Sequence, residues 1–256
     1  MTRLPRAAVA LAVLLARPGL AGAAEINVWT SRAIATVLAE IGPQFERETG
    51  HRLRVLSGLP TDFERRMAAG ETVDLVISGS APVDTWIKEG KIVAATRTDL
   101  ARSGIGVEVR AGARKPDISS VEAFKRALLD AKSIAFLPVG SGLHIAAVLE
   151  RLGIAEAVKS KVTRPQSDIV SELVARGEVE LGLVVMTQIL TTPGVDLVGP
   201  LPPELQSYVV FTAGVSATSK APAAVGQLMR FLTGPTAIPV ITAQGMEPLP
   251  VRRDPR

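Results

Sequence analysis

The sequence has no cysteine, two histidines and few aromatics: six Phe, two Trp and one Tyr in 256 residues. Without cysteine there are no disulfides, thiol nucleophiles, thiolate metal sites or lipid-modified cysteine, a composition compatible with an oxidising compartment. Two histidines leave little room for a His-rich metal site. Scarce aromatics argue against a carbohydrate ligand, which stacks on them; Trp29, Trp86 and Tyr208 are expected in the core or at a hinge. There is no Gly-x-x-x-x-Gly-Lys phosphate loop, and the Gly140-x-Gly142 pair lacks the third glycine of a dinucleotide fingerprint, since that position holds Ile145.

The long apolar run is Ala7 to Ala16, too short to span a bilayer. Basic Arg3 and Arg6 precede it and the small residues Ala21-Gly22-Ala23 follow, the pattern of a secretory signal peptide over residues 1–23. The chain's basicity comes largely from this segment. Removing Arg3, Arg6 and Arg17 leaves 26 basic against 25 acidic residues. Such a near-neutral, mixed surface argues against nucleic acid or an anionic membrane as partner.

Beyond the leader, strand and helix patterns alternate. Ile26 to Thr30 reads as a strand, and Ile34, Val37, Leu38, Ile41 and Phe45 recur at helical spacing until Gly50. Leu53 to Ser57 and Val73 to Ser78 are further strands. Thr61 to Glu64 and Ser119 to Glu122 read as capping boxes, with Thr61 a helix cap rather than a ligand contact. A polar segment through Gly104 precedes a strand from Ile105 to Arg110, and Ser207 to Val215 reads as a return strand. The predicted fold is α/β, two lobes joined by two hinge crossings, each lobe a mostly parallel sheet flanked by helices. Residues 24–104 and 211–250 are assigned to lobe 1, 105–210 to lobe 2, and 251–256 to a polar tail.

Ser133 to Leu152 reads as strand, small-residue loop and helix, with Gly140 and Gly142 freeing the backbone for a turn. Such a loop presents backbone N–H groups at the positive end of a helix, which favours anions. In an open α/β lobe ligands lie beyond the C-terminal ends of strands. The ligand-binding candidates are therefore Ser31 and Arg32, Gly58 and Leu59, Ser78, Gly79 and Ser80, Gly140, Ser141, Gly142 and His144, and Thr187 and Gln188. Arg32 suits a carboxylate or oxyanion through paired N–H donors. Ser80 serves equally as a helix cap, and His144 as a packed polar side chain.

Ile26-Asn27-Val28-Trp29, the helix end Phe45-Glu46-Arg47-Glu48-Thr49-Gly50, the segment Gly70 to Ser78 and the segment Gly177 to Val184 together resemble the periplasmic molybdate-binding proteins, type 2 solute-binding proteins of ABC importers. The resemblance runs from about Ile26 to Pro248. It implies a clamshell that closes on a small anion and docks on an ABC permease in the inner membrane, working as a monomer in the periplasm. It also implies two serines and a tyrosine as molybdate ligands. Those positions fall here on Ala33, on the turn Gly58-Leu59-Pro60-Thr61 and on Val185. The ligand is left open between a molybdate-type oxyanion and a small organic carboxylate.

No cofactor, no metal and no catalysis are expected. Ser141 and His144 lie within one turn, but no Gly-x-Ser-x-Gly elbow surrounds Ser141, so a secreted serine hydrolase is the lesser alternative. A ligand-sensing module docking on a membrane receptor is the other, because either partner reads the closed state that ligand favours.

Overall fold

The computed structural model describes residues 22–250, so the expected leader, but for its last two residues, and the tail 251–256 lie outside it. In chain order it contains β1 (Glu25–Thr30), α1 (Arg32–Thr49), β2 (Arg52–Ser57), α2 (Pro60–Ala68), β3 (Leu75–Gly79) and α3 (Ser80–Lys88). Then come β4 (Thr98–Arg110), α4 (Val121–Asp130), β5 (Ile134–Ala135), α5 (Ser141–Arg151), α6 (Ala155–Val158), β6 (Val162–Thr163), α7 (Val170–Ala175), β7 (Leu181–Val185) and α8 (Met186–Thr191). The chain closes with β8 (Val195–Pro200), β9 (Tyr208–Val215), α9 (Pro222–Leu232), α10 (Ala237–Ala243) and β10 (Glu247–Pro248).

β4 organises the molecule. Its first half, through Gly104, pairs with β9, while its second half, from Ile105, pairs with β7 and β8. One continuous strand thus belongs to two sheets, and each half has its own core. In the first lobe β1 lies parallel to β2 and β3, and β9 runs antiparallel to β3. α1, α9 and α10 cover one face around Ile34, Phe45 and Leu228, and Phe63 and Trp86 fill the other. In the second lobe β5 is parallel to β6 and β7. Ile105, Val107 and Val109 face α4 and α5 in one apolar layer. Fully burying each such side chain contributes about 1.5–3 kcal/mol.

The segment before Gly104 is a correction to the sequence reading, which started the strand at Ile105. Thr98 to Ser103 is strand because the apolar β9 beside it needs a hydrogen-bonded neighbour; pairing outweighs local polarity. Two caps also shift. The residue preceding α2 is Leu59, whose N–H donates to Asp62 Oδ2 at 2.9 Å, so Thr61 lies inside the helix. α4 is capped by Ser120, whose Oγ accepts from the Ala123 N–H at 3.1 Å, and not by Ser119.

At the crossing, the Gln206 side chain imitates a strand neighbour. Its Oε1 accepts from the Ile105 N–H (2.9 Å) and its Nε2 donates to the Ile105 carbonyl (3.0 Å). The backbone groups where β4 changes sheets are therefore held by a side chain.

Candidate functional site

The strand ends of the first lobe are knitted together by backbone bonds. Ser31 N–H donates to the Ile77 carbonyl (3.1 Å) and Gly58 N–H to the Thr30 carbonyl (3.0 Å). Thr30 ends β1, Ser31 caps α1 and Arg32 opens it. The hydroxyls of Thr30 and Ser31 are both buried and have no partner among the described residues. Ser78 is buried in β3 opposite Thr212, Gly79 caps α3 and Ser80 begins it.

Arg32 crosses from this lobe to the other. Its NH1 donates to the Asp168 carbonyl at 3.0 Å and pairs with the Glu172 carboxylate at the start of α7. Asp168 is also reached from α8, where Gln188 Nε2 donates to Asp168 Oδ1 at 2.9 Å. Two of the expected residues, from separate lobes, thus converge on a third that sequence reasoning did not single out. Thr187, next to Gln188, is fully buried; its N–H donates to Ser103 Oγ (3.3 Å) and its own hydroxyl is unpartnered among the described residues. An unpartnered buried hydroxyl costs roughly 1–3 kcal/mol, and three of them, on Thr30, Ser31 and Thr187, lie at or just beyond strand ends.

Leu59 is the lobe 1 residue that enters the apolar layer of lobe 2 containing Leu137, Val170, Val174 and Ile189. It is 6% exposed. Leu59 and Arg32 thus both reach the second lobe, one by apolar packing and the other by an ion pair.

The loop before α5, expected to cradle a ligand, holds two of its candidate residues by contacts within the second lobe. Gly142 packs against the Leu137 carbonyl, so tightly that a Cβ at this position would lie 1.6 Å from that oxygen. His144 Nε2 sits 2.7 Å from the Leu205 carbonyl. Gly140 takes the left-handed φ of 57° that starts the turn, and Ser141 is the first residue of α5. Gly142 and His144 are engaged within the second lobe.

Acidic side chains dominate the surroundings of Arg32. Burial pushes the Asp168 carboxyl up, against the Gln188 hydrogen bond and the Arg32 charge. Behind α7, Glu108 is fully buried in β4, and burial raises its carboxyl to about 7, opposed by a hydrogen bond from Ser171 Oγ (2.9 Å) and reinforced by the nearby Glu172 charge. A carboxyl poised there is part neutral at neutral pH. Among the described residues no group of three or more His, Asp or Glu side chains is placed to hold a metal ion.

Glu108 had a legible signal: it is the one charge within the apolar strand Ile105 to Val109. Asp168 and Glu172 had none, being 136 and 140 residues from Arg32.

Residues 26–247 match the model of the bacterial extracellular solute-binding protein family. An aconitate isomerase from Pseudomonas sp. is 30% identical over 258 residues, 98% of each chain. The molybdate-binding protein ModA of Azotobacter vinelandii is 29% identical over 88% of this chain and 90% of its own. The solved structure of a periplasmic molybdate-binding protein of Azotobacter vinelandii superposes with a TM-score of 0.74 at 22% identity, covering 88% of this chain and 99% of that one. That likeness shows the fold, a type 2 periplasmic-binding clamshell. With a family model spanning nearly the whole described chain, the protein belongs to the bacterial extracellular solute-binding proteins, and its relatives include binders of molybdate.

Proposed function

We propose that the protein captures a small polycarboxylate between its lobes and delivers it to an ABC permease of the inner membrane, having reached the periplasm by the N-terminal leader. The observation that carries this reading is Arg32. Its NH1 is held by Asp168 and Glu172, which fixes the guanidinium plane and leaves its Nε and NH2 donors without a partner among the described residues. That free edge matches a carboxylate by two parallel hydrogen bonds. The hydroxyls of Thr30, Ser31 and Thr187 supply further donors from both lobes, so an occupant stabilises the closed form by its differential affinity. The positions expected to hold molybdate ligands carry Ala33, Leu59 and Val185, all buried and apolar, which favours a carboxylate over an inorganic oxyanion.

Arg32→Ala is expected to weaken cis-aconitate binding about 10- to 100-fold by calorimetry, the range of a lost charge-assisted pair. Unchanged affinity would remove Arg32 from the site and the reading with it.

A second reading, turnover of the captured carboxylate, is favoured by two observations together. The relative aligned over 98% of both chains is named for an isomerase, and a carboxyl with an elevated proton affinity lies directly behind the cleft. Interconverting the geometric isomers of aconitate breaks no bond to a leaving group; it needs a proton moved between carbons.

A further inference from the structure

We propose that Arg32 and Leu59 latch the two lobes together, so that the cleft is held shut by the chain's own side chains and ligand exchange waits on their release. The two residues stand side by side on the first lobe. Arg32 follows the end of β1 and Leu59 the end of β2, neighbouring parallel strands whose last residues, Thr30 and Ser57, face each other in register. On the second lobe both meet the same short helix. Arg32 pairs with Glu172 of α7, and Leu59 enters the apolar layer to which Val170 and Val174 of α7 belong. One helix thus receives an ion pair and an apolar side chain from the facing lobe.

Leu59 is presented on a rigid turn. The Gly58 N–H donates to the Thr30 carbonyl (3.0 Å), the Leu59 N–H donates to Asp62 Oδ2 (2.9 Å), and Pro60 opens α2 with its fixed φ. Leu59 belongs to neither apolar cluster of the first lobe, and every other residue of the cluster it joins lies between Ala135 and Leu197. Parting the lobes would therefore return a buried leucine to water, which the hydrophobic effect resists. The receiving helix is braced from behind: Ser171 Oγ of α7 donates to the buried Glu108 carboxyl (2.9 Å).

The place of these contacts in the fold gives them leverage. The lobes are joined where β4 crosses, and β9 is the first-lobe strand beside β4; β3, β1 and β2 follow outward in that order. Arg32 and Leu59 thus come from the two strands furthest from the crossing, where opening separates the lobes most. A further contact, Leu190 of α8 against Gly245, lies beside the crossing instead. A Cβ on Gly245 would come within 2.4 Å of Leu190 Cδ1; α8 follows Val185, which pairs with Ile105, and Gly245 precedes β10, which pairs with Ala101 and Arg102. The two halves of the latch also answer to different conditions. Arg32 and Glu172 keep 31% and 30% of their side-chain surface exposed, so salt weakens their attraction, whereas it leaves the Leu59 contact in place.

The test is an interlobe distance measured by electron double resonance. The chain has no cysteine, so spin labels at Lys88→Cys in α3 and Glu122→Cys in α4 are the only two. With no ligand added, this labelled parent is expected to give a single narrow distribution. Leu59→Ala together with Glu172→Gln is expected to raise a second, open distance at least about 30-fold, with circular dichroism showing that the fold holds. Glu172→Gln alone keeps the side chain's shape and is expected to raise it about threefold, an effect that about 1 M sodium chloride reproduces in the parent. A narrow distribution that the double variant leaves unchanged overturns the proposal, as does a parent already as broad as the double variant. The distance is read without ligand, so it stands apart from the carboxylate reading: failure to bind cis-aconitate would overturn that reading and leave the latch.

Discussion

Glu108→Gln is expected to stabilise the protein at pH 8 relative to its effect at pH 4, by about 3 kcal/mol on chemical denaturation. Burial lifts the folded-state carboxyl from the ordinary 4.5 to about 7. Between those values the folded protein binds more protons than the unfolded chain, so stability falls as pH rises. The stabilising protonated state is fully present below about 4.5 and lost once pH passes about 7. Glutamine keeps the shape of the neutral acid and has no proton to lose, so the variant does not follow that fall. Wild-type and variant stabilities should therefore diverge from pH 4.5 upward and level off near pH 8. Parallel curves would mean that Glu108 is not held neutral by burial.

Gly142→Ala should be among the most damaging single substitutions in the chain, lowering stability by at least about 3 kcal/mol, well above the usual range for a point change. The added Cβ would meet the Leu137 carbonyl oxygen at 1.6 Å and its carbon at 2.6 Å. Both are backbone atoms, so no side-chain rotation relieves the overlap. The turn cannot swing away either: Gly142 N–H is bonded to the Val139 carbonyl (3.1 Å), and Leu137 is buried. For a protein of this size the melting temperature should fall by at least about 6 °C. Gly140→Ala is the control, since nothing lies within 4 Å of its would-be Cβ and its cost is confined to backbone strain at φ 57°, ψ −124°, about 1–3 kcal/mol. A loss at Gly142 no larger than at Gly140 would contradict the packing described for this loop.

These two sites divide what the sequence disclosed from what it did not. The alternation of apolar strands with helical periods named the fold class, and the glycines around Ser141 marked a tight turn. The packing of that turn on the Leu137 carbonyl, and the Leu205 carbonyl beside His144, are contacts between residues that no local pattern links. The strand-end rule pointed to Arg32, Thr187 and Gln188, and the structure draws Arg32 and Gln188 together on Asp168. It could not name Asp168 or Glu172, because a polar residue at the start of a short helix reads as a solvated terminus until another lobe closes on it. The first half of β4 was missed for a related reason. Its polar side chains carry no strand signal, and its conformation is imposed by β9.

Calorimetric titration of the purified protein against cis-aconitate, trans-aconitate, molybdate and sulfate tests the central claim most directly, that this clamshell closes on a carboxylate through Arg32. One-to-one binding of an aconitate isomer, with neither molybdate nor sulfate competing, is the expected result. Saturable binding of molybdate with no response to either carboxylate would contradict it.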